Sequence, residues 1–216
     1  MNKNHTSFTE VLMKNILICI FILFTSPLFS EKANLKIILQ DGIEYTESFE
    51  KDSKVITLVS KGDLRLKYLE DIQGFEQFEN LTDFCMYFFN YKGDYSFLKS
   101  IKNLKDLGLM GSGAESLSFI TDLELLEVVE LQLDFRNEII DIIEKKEVDL
   151  RKLKNLKKIT IDNQMNHIPP FVNVKNKPLL LLDTTEIKKL SRKDYKYAKQ
   201  YSSVRSLNPN PRWPFD

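Results

Sequence analysis

The chain has 216 residues, with 31 basic and 31 acidic side chains and a formal charge of zero, so no global field draws it to nucleic acid or to an anionic membrane. Apolar residues make up 43% of it, the composition of a folded protein and not of a disordered one by default, and the length allows one domain of ordinary size plus a targeting segment. Its two cysteines and two histidines leave little material for a disulfide framework or a metal cluster.

Lys14 precedes an uncharged apolar run from Ile16 to Phe29, and the polar Ser30-Glu31-Lys32 follows it. That order is the order of a secretory signal peptide, so 1–30 is expected to be removed and the mature chain to begin near Glu31. Met1–Leu12 is polar and carries Glu10, which makes Met13 the better start. The competing reading is an uncleaved anchor, but the run is 14 residues long against the roughly 20 a spanning helix needs, and cleavage is preferred. The expected location is secreted, periplasmic or cell envelope. Cys19 lies inside the run, without the small residue that normally precedes a lipidated cysteine. Cys85 is then the one cysteine of the mature chain, so no intramolecular disulfide supports the core.

Segment 31–62 is predicted to be an N-terminal β-hairpin cap. Leu35–Gln40 and Ile43–Ser48 flank Asp41-Gly42, a turn dipeptide, and the β-rich Val55–Val59 follows. A separate β domain of this length would bury too little apolar surface to stand alone.

Repetition organises 63–183. Apolar-x-apolar pairs recur at Leu64/Leu66, Phe84/Met86, Leu107/Leu109, Val129/Leu131, Ile159/Ile161 and Leu180/Leu182, with first members 20, 23, 22, 30 and 21 residues apart. The run-in to each pair also repeats. Phe75, Phe78 and Leu81 lead to Phe84; Leu98, Ile101 and Leu104 to Leu107; Ile120, Leu123 and Leu126 to Val129; Leu150, Leu153 and Leu156 to Ile159. Steps of three followed by a step of two do not suit an α-helix, where residues three apart drift by about 60° each time. They suit a chain that coils past a core and then enters a short strand. The filler recurs as well, as Glu79-Asn80-Leu81, Lys102-Asn103-Leu104 and Lys154-Asn155-Leu156.

The stretches LEDIQGFEQFENLTDFCM and FLKSIKNLKDLGLM, with their sister copies, resemble the 22-residue leucine-rich repeats of internalin-type bacterial surface proteins. The resemblance implies an α/β fold: a short solenoid whose apolar-x-apolar pairs lie on a curved parallel β-sheet lining a concave face that binds other macromolecules. That family places an asparagine three residues after the second strand leucine. Here Phe89, Ser112, Asp134 and Gln164 hold that position, with Asn90 and Asn163 one residue off, so the repeats are degenerate.

The long interval contains Asn137–Val148, where Ile139, Ile140, Ile142 and Ile143 precede four charged residues. This suits an inserted amphipathic helix, the alternative being an extra repeat with an unrecognised strand. Segment 184–216 is predicted to be a C-terminal helical cap, running through Tyr195, Ala198 and Tyr201, followed by a basic tail with three prolines from Pro209 to Pro214.

In a strand of period two, the residues flanking the core pair point outward. The concave face is therefore predicted to carry Asp63, Arg65 and Lys67; Asp83, Cys85 and Tyr87; Asp106, Gly108 and Met110; Val128, Glu130 and Gln132; and Lys158, Thr160 and Asp162. Gly108, lacking a side chain, is expected to leave a dip between Cys85 and Glu130. This mixed stripe suits a protein partner and not a nucleic acid, since Lys and Arg do not dominate it. Of the aromatic cluster after Met86, Phe88, Phe89 and Phe97 are expected to pack in the turns, whereas Tyr87, Tyr91 and Tyr95 suit either core or contact surface. Cys85 and His167 are the only candidates for a nucleophile and base, and they lie on strands three repeats apart, too far for a hydrogen bond. No cofactor or metal is implied. The expectation is a non-catalytic protein-binding module. The alternative is a structural envelope component held to anionic lipid or glycan by its basic tail.

Overall fold

The three-residue period is the period of 3-10 turns, in which residues i and i+3 eclipse one another. Such turns form at Phe75–Gln77, Ser96–Ser100 and Leu117–Asp122. Within them each apolar residue donates its N–H to the carbonyl of the apolar residue before it: Phe78 to Phe75 at 3.0 Å, Ile101 to Leu98 at 3.1 Å, Leu123 to Ile120 at 3.2 Å, and Leu126 to Leu123 at 3.1 Å. Leu153 repeats the bond to Leu150 at 3.0 Å. The three apolar residues of all four run-ins are buried. The protein's structure, a computed structural model, describes residues 30–60, 67–89, 91, 95–112, 117–133, 147–161, 170–182 and 196–206. The signal-like segment, the pair Leu64/Leu66, most of the amphipathic segment 137–148, His167 and the proline-containing tail lie outside the described residues.

The fold is α/β in class, made mostly of strands with few helical segments. In chain order the strands are β1 (Lys32–Leu39), β2 (Glu44–Glu50), β3 (Val55–Val59), β4 (Leu69–Gln73), β5 (Asp83–Tyr87), β6 (Asp106–Ser112), β7 (Val128–Leu133), β8 (Val148–Asp149), β9 (Lys158–Ile161), β10 (Phe171–Val172), β11 (Leu179–Leu182) and β12 (Ser203–Ser206). Seven of them form one sheet in the order β12-β11-β9-β7-β6-β5-β3, parallel at every pairing. Phe84 faces Leu107, Leu107 faces Val129, Val129 faces Ile159 and Ile159 faces Leu180, so five of the expected pairs stand side by side with both members buried. From Ala33 onward the chain forms one compact unit.

The sheet extends at both ends beyond the 63–183 expected from the repeats. On its far side β5 pairs with β3, where Ile56 faces Phe84 and Leu58 faces Met86. The place beside β5 belongs to Val55–Val59, assigned from sequence to the cap. The reason is physical equivalence: Ile-Thr-Leu buries the same alternating pair, 28 residues upstream. At the other end β12 adds to β11, with Leu180 opposite Val204. Of the expected C-terminal helix, the described residues carry a helical turn at 196–198 before that strand, and its earlier part lies outside the described residues. Val148, placed from sequence at the end of the inserted helix, instead begins β8, which pairs in parallel with β10.

A backbone ladder joins successive units at the foot of the sheet. The Lys54 carbonyl accepts the N–H groups of both Thr82 and Asp83, that of Thr82 those of Lys105 and Asp106, that of Lys105 those of Glu127 and Val128, and that of Glu127 those of Lys157 and Lys158. The Lys157 carbonyl accepts Leu179 alone, at 2.8 Å, because Pro178 has no N–H to give. Asparagine side chains add a second ladder. The Asn103 amide donates to the Glu79 carbonyl at 2.8 Å, and Asn176 donates to the equivalent Lys154 carbonyl. Each lies four residues before its strand's first core residue. Before β7 that position holds Leu125, which is 42% exposed.

The smaller sheet, ordered β2-β1-β4, carries the predicted hairpin. Its turn closes through Leu39 N–H to Ile43 carbonyl at 2.9 Å, and Gly42 takes a φ of 79°, which only glycine adopts without strain. On β1, Ala33, Leu35, Ile37 and Leu39 alternate into the core. Antiparallel β4 sets Ile72 opposite Ile37. Gly74 after it is required, because a Cβ there would collide with the Asn34 carbonyl.

Two outcomes follow. Leu107→Ala removes a fully buried side chain from the middle of the sheet and is expected to cost about 2–5 kcal/mol in urea unfolding. Leu125→Asn restores the missing rung toward the Lys102 carbonyl and is expected to raise the urea midpoint by the equivalent of about 1 kcal/mol.

Candidate functional site

Because the seven strands share one register, their outward residues form rows across the sheet. The first row runs Val55, Asp83, Asp106, Val128, Lys158, Leu179 and Ser203. The middle row runs Thr57, Cys85, Gly108, Glu130, Thr160, Leu181 and Arg205. The third holds Val59, Tyr87, Met110 and Gln132. Eleven of the fifteen face residues expected from sequence thus lie on one face. Arg65, with Asp63 and Asp162, lies outside the described residues, and the place beside Cys85 belongs to Thr57. Lys67 lies off the parallel sheet: its ammonium pairs with Asp41 of the hairpin turn at 2.6 Å.

The expected dip at Gly108 is filled. A Cβ built on Gly108 would sit 2.7 Å from the Cys85 sulfur, so the thiol lies across the glycine, and Gly108 is buried. Cys85 occupies the space that a side chain at 108 would need. Burial pushes the Cys85 thiol above its ordinary pKa, and the nearby Glu130 and Asp83 carboxylates push the same way. The sulfur is held as the protonated, weakly nucleophilic thiol. Sequence patterning misses this contact because it is set by the direction a side chain leans toward the next strand.

The charges on the face are unequally paired. Lys158 bonds Glu130 across β7 and β9, and Lys157 bonds Glu127, with Lys105 a further 3.5 Å partner of Glu127. The hydrogen bond from Lys157 holds the Glu127 carboxyl below its ordinary range. Asp83 and Asp106 face each other on adjacent strands. Burial, the contact with Asp83, and the charges of Asp83, Glu127 and Glu130 all raise the Asp106 carboxyl. Among the described residues no three His, Cys, Asp or Glu side chains come together as metal ligands.

The aromatic cluster divides differently from expectation. Phe89, Tyr91, Tyr95 and Phe97 are buried. Tyr95 receives support from both sides: its N–H donates to the Tyr91 hydroxyl at 3.1 Å, and its ring lies 4.6 Å from that of Phe119. Phe88, expected in the core, is 45% exposed. Its φ of 61° turns the chain outward at the end of β5, and its ring covers Gly111, where a Cβ would meet it at 2.8 Å. Tyr87 is half-buried in the third row beside Met110. Leu179 and Leu181 were missed as face residues. Their signal is the unbroken Leu179–Leu182 run, which is apolar on both faces of its strand.

Off the strand face, a groove of about 270 Å³ opens between turns, lined by Lys99, Lys102, Asp122, Glu124 and the exposed Leu125 among others. No helix among the described residues is long and apolar enough to cross a membrane. In comparisons with known proteins, no family model matches the chain and no curated protein matches it significantly.

Gly108→Ala is expected to turn the Cys85 thiol away from its present position at a cost of about 1 kcal/mol. Thiol labelling should then run faster than in the unsubstituted protein, and the stability cost should vanish in a Cys85→Ala background. Unchanged labelling would show that the sulfur does not lie on the glycine.

Proposed function

We propose that the chain is a short leucine-rich repeat solenoid, exported to the cell surface or envelope, that binds another protein without catalysis through the concave face of its parallel sheet. The observation that carries the reading is the common register of β5, β6, β7, β9 and β11, which sets the outward residues of repeat units in continuous rows. Units of this kind bury their apolar faces only by stacking, and stacking leaves an extended strand face for recognition. The chemistry of that face supports a protein partner. It mixes carboxylates, one lysine, amide and hydroxyl groups with half-buried Tyr87, Met110, Leu179 and Leu181, the combination of aromatic and apolar anchors with polar groups found in protein interfaces. The β1–β2 hairpin and the helical turn before β12 are assigned as end caps, since β3 and β12 each have a neighbour on one side only. Export rests on the apolar run Ile16–Phe29 between Lys14 and Ser30.

The test is capture of partners from the envelope of the producing cell by the immobilised chain. A Tyr87→Ala, Glu130→Ala double substitution is expected to weaken capture of a specific protein by about tenfold or more. Lys102→Ala, on the turn side, should leave it unchanged. Equal capture by all three forms would overturn the assignment of the strand face.

A further inference from the structure

Asp83 and Asp106 occupy facing positions on β5 and β6, on the outward side of the sheet, and both are half-buried. Two ionised carboxylates are acceptors only, so their side-chain contact becomes a hydrogen bond when one of them carries a proton. The Thr82 hydroxyl lies 2.5 Å from Oδ2 of Asp83 and 3.3 Å from the Lys54 carbonyl, and burial with the carboxylates around it raises Asp106, which makes Asp106 the donor.

The groups around the pair do not relieve it. Glu130 on β7, Glu127 just before that strand and Cys85 on β5 are acidic or neutral. The cations of this region are engaged elsewhere, Lys158 with Glu130, and Lys105 and Lys157 with Glu127. On the far side of β5, Asp83 faces Val55 of β3, which has no charge. Like charges directly opposed on neighbouring strands destabilise a sheet, and here no ammonium or guanidinium of a described residue forms an ion pair with either carboxylate.

We propose that Asp83 and Asp106 form a proton-operated clasp between β5 and β6, closed when Asp106 donates a hydrogen bond to Asp83 and open when Asp106 has released its proton to solvent. Closed, the clasp ties the two strands at their first outward position and leaves one negative charge. Open, it leaves two that repel. Burial, Asp83 and then Glu127 and Glu130 raise the Asp106 carboxyl in the folded protein above its ordinary 3.8. The stabilisation is therefore fully present below that unfolded value and is lost as pH rises through the higher folded one. Acidification from neutral pH strengthens this seam, opposite to the usual behaviour of ion-paired carboxylates. This inference does not depend on what the face binds.

Carboxyl-carbon NMR of the full chain tests it directly. Asp106 is expected to titrate above 3.8, and its midpoint should move down toward that value in Asp83→Asn. Urea midpoints supply the second reading. Asp106→Asn should exceed the unsubstituted protein at about pH 7, and the gap should shrink or reverse at about pH 4. An Asp106 midpoint at or below 3.8, or a gap constant with pH, would overturn the clasp. The titration of the unsubstituted protein decides the matter even where the variant fails to fold.

Discussion

At the foot of β3, β5, β6 and β7 one carbonyl accepts two consecutive amides from the next unit, and the rest of the structure depends on that shared oxygen. It fixes where each strand begins relative to the last. Because side chains alternate with period two, a slip of one residue would move every buried pair to the outward face. The ladder Lys54, Thr82, Lys105, Glu127 therefore precedes and enforces the register that sets Phe84, Leu107, Val129 and Ile159 in one column. The 3-10 turns serve the same end from the other side of the core. They bring the chain round in a few residues while presenting every third side chain inward.

Much of this was legible in the residues. The apolar pairs and their run-ins mark both the strands and the turns because burial and backbone period coincide there. Legibility failed where that coincidence breaks. Ser203–Ser206 shows a single apolar residue between polar ones, so β12 has no pair to recognise. On β4 the buried Leu69 and Ile72 are three apart, which disguises a strand as one more run-in. Val55–Val59 looks like a strand, but nothing in its composition says which sheet it joins; only its pairing with β5 does.

The outward face was legible as a set of positions but not as a surface. Alternation places Cys85, Gly108, Asp83 and Asp106 outward, and that is correct. What each neighbour then does depends on cross-strand geometry that no single strand encodes. The glycine expected to open a hollow is covered by a thiol, and two carboxylates that look like ordinary surface charges oppose each other across adjacent strands. Phe88 shows the same limit in the turns. A backbone in the left-handed region, not hydrophobicity, decides that this ring leaves the core that Phe89 enters.

Pro178 carries a consequence for motion. At every other described step from β3 to β9 the ladder oxygen holds two amides; between β9 and β11 it holds one. Local opening in proteins follows such differences in cooperative segments. The seam between β9 and β11, where Lys158 faces Leu179, is accordingly expected to part first, with β11 fraying together with β12 while β3 through β9 stay closed. Amides of β11 and β12 are therefore expected to exchange with solvent sooner than those of β3 through β9, with the border at a missing N–H.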